Sequence, residues 1–271
     1  MKEPKISVLM GTYYQSSDLT LLRRSVVSIL AQDEPSFELL ICDDGSTPSA
    51  MSLLNELAET DSRIRLLRVG NRFTLPEKLN TCLERARGNY IARMDDDDFS
   101  HSDRFSKQLA FLRAHQEVAF VGCCASLHRN NVEIGKRSLP EYPEVRDFLF
   151  VQPFIHPTLL FRREVLLAVN GYSENRCCLL CEDYDLLLRL YETGFLGANL
   201  PECLLDYTLS ATARGSRTMR HRWNEAVTRH SHFRTLGLLP RAWPYVIKPL
   251  AVGLIPEQFL QGLKQHFYER R

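Results

Sequence analysis

Short apolar runs alternate with amphipathic segments through the first hundred residues, and this alternation limits the fold more than any other feature of the sequence. Four apolar runs have the length of buried strands: 6–10, 37–42, 64–69 and 89–94. Between them, apolar residues recur at helical spacing, as Leu22, Val26 and Ile29 do. Strands that alternate with helices form a parallel sheet covered on both faces. The sequence therefore predicts an α/β fold, with a mostly parallel, Rossmann-like sheet flanked by helices.

After residue 100 the alternation is less regular. Two segments have the apolar spacing of helices, 103–115 and 182–193. Two others have the pattern of strands, 118–123 and 158–162, and Asn130-Asn131 is typical of a hairpin turn. The chain has 271 residues, 44% of them hydrophobic, so it can form one large domain with an appendage.

Polar loops follow three of the predicted strands. They are Gly11-Thr12-Tyr13, Asp43-Asp44-Gly45-Ser46 and the four aspartates 95–98. Because ligands of open parallel sheets bind beyond the carboxyl ends of the strands, we expect these loops to form one site.

The four consecutive aspartates are costly in a folded protein. Two like charges about 4 Å apart repel by roughly 1 kcal/mol in water and roughly 4 kcal/mol near a protein surface. If the chain is extended there, Asp95 and Asp97 share one face and could bind Mg²⁺ or Mn²⁺ through oxygen, with room for a diphosphate. The alternative is a solvated acidic loop that caps the following helix.

Five segments in order resemble family 2 glycosyltransferases, in particular the bacterial branch that builds lipopolysaccharide and exopolysaccharide. The segments are KISVLMGTYYQ, FELLICDDGST, ARGNYIARMDDDDFSHSDRF, IHPTLLFRR and CEDYDLLLRL. The resemblance covers roughly residues 4 to 210. It implies a GT-A fold and an inverting, metal-dependent transfer of a sugar from a nucleotide diphosphate, with a UDP-sugar favoured, to a glycan or lipid-linked glycan.

The resemblance and the charge distribution together predict a division of the chain. Residues 1–213 would be the catalytic domain, with a nucleotide-sugar-binding half at about 1–100 and an acceptor half at about 101–213. Residues 214–271 would be a basic, amphipathic, mainly helical C-terminal extension.

By the same resemblance, the first two loops would hold the nucleobase and the ribose. The residues are Thr12, Tyr13, Asp43 and Asp44, with Asp44 favoured for the base. Many relatives have Pro-Thr-Tyr-Asn where this chain has Gly11 to Tyr14, so the donor contacts can differ in detail. The alternative for Asp43-Asp44-Gly45-Ser46 is a turn whose Asp and Ser only cap the next helix.

The resemblance implies separate roles within the acidic cluster. Asp95 and Asp96 would lie near the ribose and the diphosphate. Asp97, together with Asp95, would bind Mn²⁺ or Mg²⁺, and Asp98 would support them from behind.

Sugar transfer to a hydroxyl also requires a base, and Glu182-Asp183 at the start of a predicted helix are the best candidates. The resemblance makes Asp183 the general base and gives Glu182 a supporting role. The alternative is that these acids only complement the helix dipole, a contribution of about 0.3–1 kcal/mol each.

The cysteines and the termini indicate the compartment. Eight cysteines are dispersed through the chain, so we expect reduced thiols, and Cys177 to Cys181 lack a suitably spaced second pair for a zinc site. The N-terminus has too short an apolar run for a signal peptide, and no stretch is long enough for a membrane span. We expect a cytoplasmic protein, with a peripheral location on the inner face of the cell membrane as a further expectation.

The C-terminal part has a surface of its own. Residues 214–271 hold eleven Lys and Arg against three Glu, a net charge of +8, whereas the whole chain carries +1. Basic residues beside Trp223 and Trp243 suit a membrane surface, and a helical cap or a dimer interface are the alternatives. No recognised nucleic-acid motif accompanies the charge, so nucleic acid is not an expected partner.

Two other functions fit parts of the pattern. A phosphoryl-transfer enzyme or phosphatase with an aspartate nucleophile would also use a D-x-D after a strand, but Phe99 follows Asp98 where such enzymes usually have Thr or Val shortly after the motif. A non-catalytic nucleotide-sugar-binding protein would keep the fold without the chemistry. It would require a damaged metal or base site, and both motifs are complete.

Overall fold

The computed structural model describes residues 3–70, 73–209 and 218–254. Within these ranges one sheet contains nine strands: β1 Ile6–Thr12, β2 Phe37–Asp43, β3 Ile64–Arg68, β4 Tyr90–Arg93, β5 Phe99–Ser100, β6 Phe120–Arg129, β7 Val132–Arg137, β8 Leu160–Arg162 and β9 Gly197–Thr208. The same ranges contain eight α-helices: α1 Thr20–Leu30, α2 Pro48–Thr60, α3 Leu75–Arg85, α4 Arg104–Ala114, α5 Arg163–Ala168, α6 Glu182–Glu192, α7 Met219–Thr235 and α8 Trp243–Gly253.

The strand order is β3-β2-β1-β4-β8-β6-β9-β5, with β7 paired to β6. The first four strands are parallel, and β1 lies between β2 and β4, so that Leu9 is opposite both Leu40 and Arg93. Beyond β4 the sheet is mixed: β8 is antiparallel to β4 and β6, and β9 is parallel to β6. The predicted α/β fold is confirmed, and its parallel part is the N-terminal half.

The alternation of side chains along β1 explains why the sheet is buried on both faces. Ile6, Val8 and Met10 belong to one core cluster, and Leu9 belongs to the other. All four are essentially inaccessible to solvent. Because both faces of this parallel strand are covered, residues 6–10 are almost all apolar.

The hairpin between β6 and β7 turns at Asn130-Asn131, as predicted. Both residues have positive φ, 51° and 62°. A two-residue turn with positive φ at both positions matches the twist of the flanking strands, and asparagine tolerates that conformation better than most residues.

Helices α7 and α8 pack through one side only on the rest of the fold, which we call the body (residues 3–70 and 73–209). Phe233, Ala242 and Val246 are buried in the second core cluster, together with residues of α6.

No helix of the described ranges is long and apolar enough to cross a membrane. The predicted boundary between residues 213 and 214 falls within 210–217, outside the described residues, and it stays a prediction.

Candidate active site

The three polar loops meet where the neighbouring strands β2, β1 and β4 end. The Thr12 hydroxyl donates a hydrogen bond of 2.6 Å to Asp96 Oδ2. On the other side of β1, the Tyr14 amide donates to Ser46 Oγ over 2.8 Å. The predicted meeting of these loops is confirmed, and it follows from the parallel order of their strands.

Asp43 shapes the second loop. Its carboxylate accepts hydrogen bonds from the amides of Gly45 and Ser46, each with a distance of 3.1 Å. Helix α2 is instead capped by Thr47, whose hydroxyl accepts from the amide of Ala50. The alternative in which Asp43 and Ser46 cap this helix is therefore wrong. The Asp43 carboxylate accepts hydrogen bonds within the turn, and the N-cap is Thr47, one residue after Ser46.

Asp44 forms a buried ion pair with Lys78 of α3. The Lys78 ammonium lies 2.7 Å from Asp44 Oδ1, and the two side chains are only 7% and 3% exposed. The same ammonium donates to the Thr12 carbonyl over 3.1 Å, and the ring of Tyr13 lies 6.0 Å away. Lys78 thus ties the first loop to the second at the point where the nucleobase is expected.

The acidic cluster is not extended. Strand β4 ends at Arg93, and the chain turns at Asp96 and Asp97. The carboxylate of Asp95 pairs with the Arg93 guanidinium, and that of Asp98 accepts from the Thr208 amide over 2.7 Å. The expectation that Asp95 and Asp97 share one face of an extended chain is therefore wrong, because the turn directs neighbouring carboxylates to different partners.

Burial disfavours the charged form of the carboxylates in this cluster. Burial raises the pKa of Asp97 to about 7, and the negative charges of Asp95 and Asp96 raise it further. Burial also raises the pKa of Asp96, and it raises that of Asp98 well above the ordinary range. One oxygen of Asp98 is buried without a hydrogen-bond partner. Carboxylates that repel one another in this way suit a hard divalent cation, which prefers oxygen ligands.

In the described residues, no group of three or more His, Cys, Asp or Glu side chains is arranged to hold a metal ion. The residues fit a divalent cation only if some of its ligands come from another molecule, such as the oxygens of a diphosphate or water. Mg²⁺ in particular is commonly bound by one or two carboxylates together with substrate phosphates.

A buried pair of aromatic rings lies behind the cluster. The hydroxyl of Tyr172 is 2.8 Å from His156 Nε2. Burial, followed by the positive charge of Arg93, holds the pKa of His156 well below its usual value, which makes it a neutral imidazole. Burial raises the pKa of Tyr172, and the charges of Asp183 and Asp95 raise it further. Tyr172 therefore lies within electrostatic range of both carboxylates, which connects the acidic cluster to α6.

The first turn of α6 carries the predicted base. Glu182 and Asp183 are the first two residues of the helix, and Asp183 Oδ1 accepts from the amide of Tyr184 over 2.8 Å. Asp185 in the same turn has a different role, since it pairs with Arg189 at 2.8 Å and with a histidine of α7 at 3.1 Å. Only the first two acids of the turn are thus candidates for chemistry.

Three residues of this region did not emerge from the sequence: Lys78, Arg93 and Tyr172. Lys78 had a detectable signal, because it lies three residues after Leu75 and four before Cys82, on the buried face of α3. A lysine on an apolar helix face needs a partner, and Asp44 is the partner here. For the other two residues no sequence pattern stands out.

Comparison with known proteins identifies related sequences. The family model of glycosyl transferase family 2 matches residues 7–169. Glycosyltransferase EpsE of Bacillus subtilis is 35% identical over 254 residues, which cover 93% of this chain and 90% of the relative. The O-antigen biosynthesis glycosyltransferase WbnJ of Escherichia coli is 32% identical over 211 residues, covering 75% and 79%.

Solved structures show the same fold at lower identity. S. aureus TarS 1–349 in complex with UDP-GlcNAc has a TM-score of 0.71 at 16% identity, covering 96% of this chain and 79% of TarS. The mannosyltransferase PcManGT from Pyrobaculum calidifontis, in complex with GDP-Man and Mn²⁺, has a TM-score of 0.62 at 20% identity, covering 98% and 81%. The fold is that of GT-A glycosyltransferases, as the family resemblance implied.

Proposed function

The chain belongs to glycosyl transferase family 2 and is a glycosyltransferase, and on that premise we propose that it transfers a sugar, with inversion, from a nucleotide diphosphate sugar to a glycan hydroxyl. The main observation behind this proposal is that the three polar loops meet at the ends of β2, β1 and β4. The Thr12–Asp96 hydrogen bond and the Lys78–Asp44 ion pair join them. Asp183, in the proposed acceptor half, would complete the site, and this is supported by Tyr172, whose pKa is raised by burial and then by the charges of both Asp183 and Asp95.

The donor is a UDP-sugar in this proposal. Thr12 and Tyr13 would contact the base and ribose from one side, and Asp43 and Asp44 would contact them from the other. Lys78 occupies Asp44 Oδ1, so Asp44 Oδ2 is the oxygen that would accept the N3–H of uracil. The shared fold with TarS, which was solved with UDP-GlcNAc, supports this choice.

Asp97 and Asp95 would hold Mn²⁺ or Mg²⁺, and Asp96 would lie beside the ribose and the diphosphate. The mutual repulsion of these partly buried carboxylates supports a cation at this position. When bound, the cation would offset the negative charge that develops on the departing diphosphate. PcManGT, which has the same fold, was solved with Mn²⁺.

Asp183 acts as the general base. The acceptor hydroxyl oxygen attacks the anomeric carbon, its proton passes to the Asp183 carboxylate, and the bond from that carbon to the diphosphate oxygen breaks, which releases UDP. Glu182 supports Asp183 or binds the acceptor. Attack from the side opposite to the leaving group inverts the anomeric carbon.

The acceptor belongs to a bacterial surface glycan, either free or linked to a lipid. The name of the relative WbnJ, an O-antigen biosynthesis glycosyltransferase, supports this class of acceptor. The cytoplasmic, membrane-peripheral location expected from the sequence places the enzyme where sugar nucleotides and lipid-linked glycans meet.

Substitution of the base tests the proposal. With a panel of nucleotide sugars and Mn²⁺, Asp183→Asn should bind UDP like the wild type but transfer sugar about 10²–10⁴-fold more slowly, because a general base contributes that much. Asp103→Asn, at a half-exposed carboxylate of the α4 N-terminus, is the matched control and should keep the wild-type rate. Transfer by Asp183→Asn at the wild-type rate would show that the proton goes elsewhere.

A further inference from the structure

The outer side of α7 and α8 is apolar and exposed. Six large side chains there are between 44% and 77% exposed: Met219, Trp223, Val227, Trp243, Ile247 and Leu254. We call this set the α7–α8 face. Since the opposite side of the same helices is buried against α6, the face is not needed to hold the helices on the body.

The six side chains form one continuous surface. On α7, Met219, Trp223 and Val227 recur every four residues and so lie on one stripe of the helix. The two helices are antiparallel: a Cβ on Gly253 would lie 2.6 Å from the sulfur of Met219, and at the other end the rings of His230 and Trp243 are 5.3 Å apart. The stripes of the two helices therefore run side by side.

The charged residues of α7, α8 and their connection are nearly all basic. Residues 218–254 contain six Arg and Lys and a single acidic residue, Glu225. Glu225 is already paired with Arg229 at 3.1 Å. Arg220 lies at one end of the face, and Arg234 and Arg241 lie at the other, all three exposed. A large exposed apolar patch with a basic rim marks an interaction site rather than an ordinary solvent surface.

We propose that the α7–α8 face docks on an anionic lipid bilayer. Tryptophan is favoured at the boundary between headgroups and acyl chains, and arginine is attracted to anionic headgroups. A face of apolar side chains with a basic rim combines both interactions, as amphipathic interfacial helices do. A protein partner of the same size would have to supply acidic side chains at both ends of its own apolar patch, opposite Arg220 and opposite Arg234 and Arg241.

Docking of the α7–α8 face would also orient the proposed active site relative to the membrane. Helix α7 contacts the turn that precedes Glu182, through a hydrogen bond from the side-chain Nδ2 of Asn224 to the Arg176 carbonyl. The lipid surface would thus be separated from that turn by the width of helix α7, about 10 Å, on the side of the site where the acceptor is proposed to bind. This last link rests on the proposed function, whereas docking itself does not.

The tryptophans provide a direct test, because the chain contains only two and both lie on the α7–α8 face. Full-length protein is mixed with vesicles of phosphatidylglycerol and phosphatidylcholine, and with vesicles of phosphatidylcholine alone. We expect co-sedimentation with the anionic vesicles, a blue shift of tryptophan emission, and quenching by lipids brominated on the upper part of their acyl chains. Trp223→Phe, which leaves Trp243 as the single reporter, should keep the quenching.

Variants separate the two contributions. Arg220→Gln combined with Arg234→Gln should weaken binding to anionic vesicles about 25-fold, because each arginine near an anionic surface contributes about fivefold. Trp223→Ser combined with Ile247→Ser should also weaken it. Val132→Ser combined with Ile134→Ser, at exposed apolar positions on the edge strand β7, is the control and should bind like the wild type.

Any of the following results would overturn the proposal: no vesicle binding, binding without quenching of tryptophan, equal binding to both kinds of vesicle, or a blue shift that grows with protein concentration in the absence of lipid. The last would assign the face to a second copy of the chain. Emission that is already blue in buffer, and that shifts to the red when residues 255–271 are deleted, would assign it to that segment and would also overturn docking. UDP release with a soluble acceptor reports on the proposed function separately.

Discussion

Replacement of Lys78 by methionine tests how the two donor loops are held together. The ammonium of Lys78 lies 2.7 Å from Asp44 Oδ1 and 3.1 Å from the Thr12 carbonyl, and the Lys78 and Asp44 side chains are 7% and 3% exposed. Methionine has a similar length and volume, so Lys78→Met removes the charge with little change in packing. Because it leaves Asp44 buried without its cation, we expect a loss of about 3–5 kcal/mol in the free energy of unfolding.

A double-mutant cycle isolates the pair. Lys78→Met, Asp44→Asn and the double variant are unfolded in urea, followed by tryptophan fluorescence and circular dichroism. The double variant should be more stable than Lys78→Met alone, because it has no unpaired buried charge. The coupling between the two positions should be about 2–3 kcal/mol, near the upper end for residues in contact.

Binding of UDP gives a second readout. Lys78→Met should weaken it even under conditions in which the variant is fully folded, because the Thr12–Tyr13 loop loses its attachment. Lys136→Met, on the exposed strand β7, is the matched control and should change stability by no more than about 0.5 kcal/mol. A loss of less than about 1 kcal/mol for Lys78→Met, with an unchanged urea dependence, would refute the claim that the ion pair stabilises the site.

Two further predictions concern stability. Burial disfavours the charged form of His232, but its hydrogen bonds to Asp185 and Glu192 prevail and raise its pKa. Wild type should therefore be more stable than His232→Gln, with the full difference below the ordinary histidine pKa of about 6.5. The difference should disappear as the pH rises through the raised pKa of His232, as urea unfolding across that range would show. A difference independent of pH would contradict the claim that the charge of His232 stabilises the fold. The second prediction concerns the β6–β7 hairpin, where residue 131 has a φ of 62°. Asn131→Gly should be neutral or stabilising, whereas Asn131→Val should lower the free energy of unfolding by about 1–2 kcal/mol in the same assay. Equal stability of the two variants would contradict this.

The sheet and the meeting of the loops were predictable because both depend on local pattern and chain direction. Apolar runs such as 6–10 and 37–42 are continuous since both faces of their strands are buried. Once these strands are parallel neighbours, their carboxyl ends must share an edge, whatever the side chains in the loops. The Asn130-Asn131 turn was predictable for the same reason, since its conformation depends on two adjacent residues.

The side-chain arrangement in the acidic cluster was not predictable from local pattern. Whether Asp95 faces the same way as Asp97 depends on Arg93, which is buried by residues distant in the sequence. The partner of Asp98 is the amide of Thr208, more than a hundred positions away. Periodicity describes which face of a strand a residue occupies, but in a turn between strands the tertiary partners decide.

The basic C-terminal segment illustrates the same limit. Composition predicted membrane contact, a helical cap or a dimer interface as alternatives. The structure shows that α7 and α8 have two different sides, one buried through residues such as Phe233 and one exposed through residues such as Trp223. A sequence with aromatic and apolar residues on both sides of a helix does not reveal which side the body covers.

Calorimetry with UDP, in the presence and absence of Mn²⁺, tests most directly the claim that a divalent cation and a diphosphate bind together at the acidic cluster. We predict that Mn²⁺ strengthens UDP binding to the wild type and to the control Asp103→Asn. Asp97→Ala should keep the weaker, metal-free binding and lose the increase. Equal affinity of the wild type for UDP with and without Mn²⁺, or an undiminished increase in Asp97→Ala, would contradict the account.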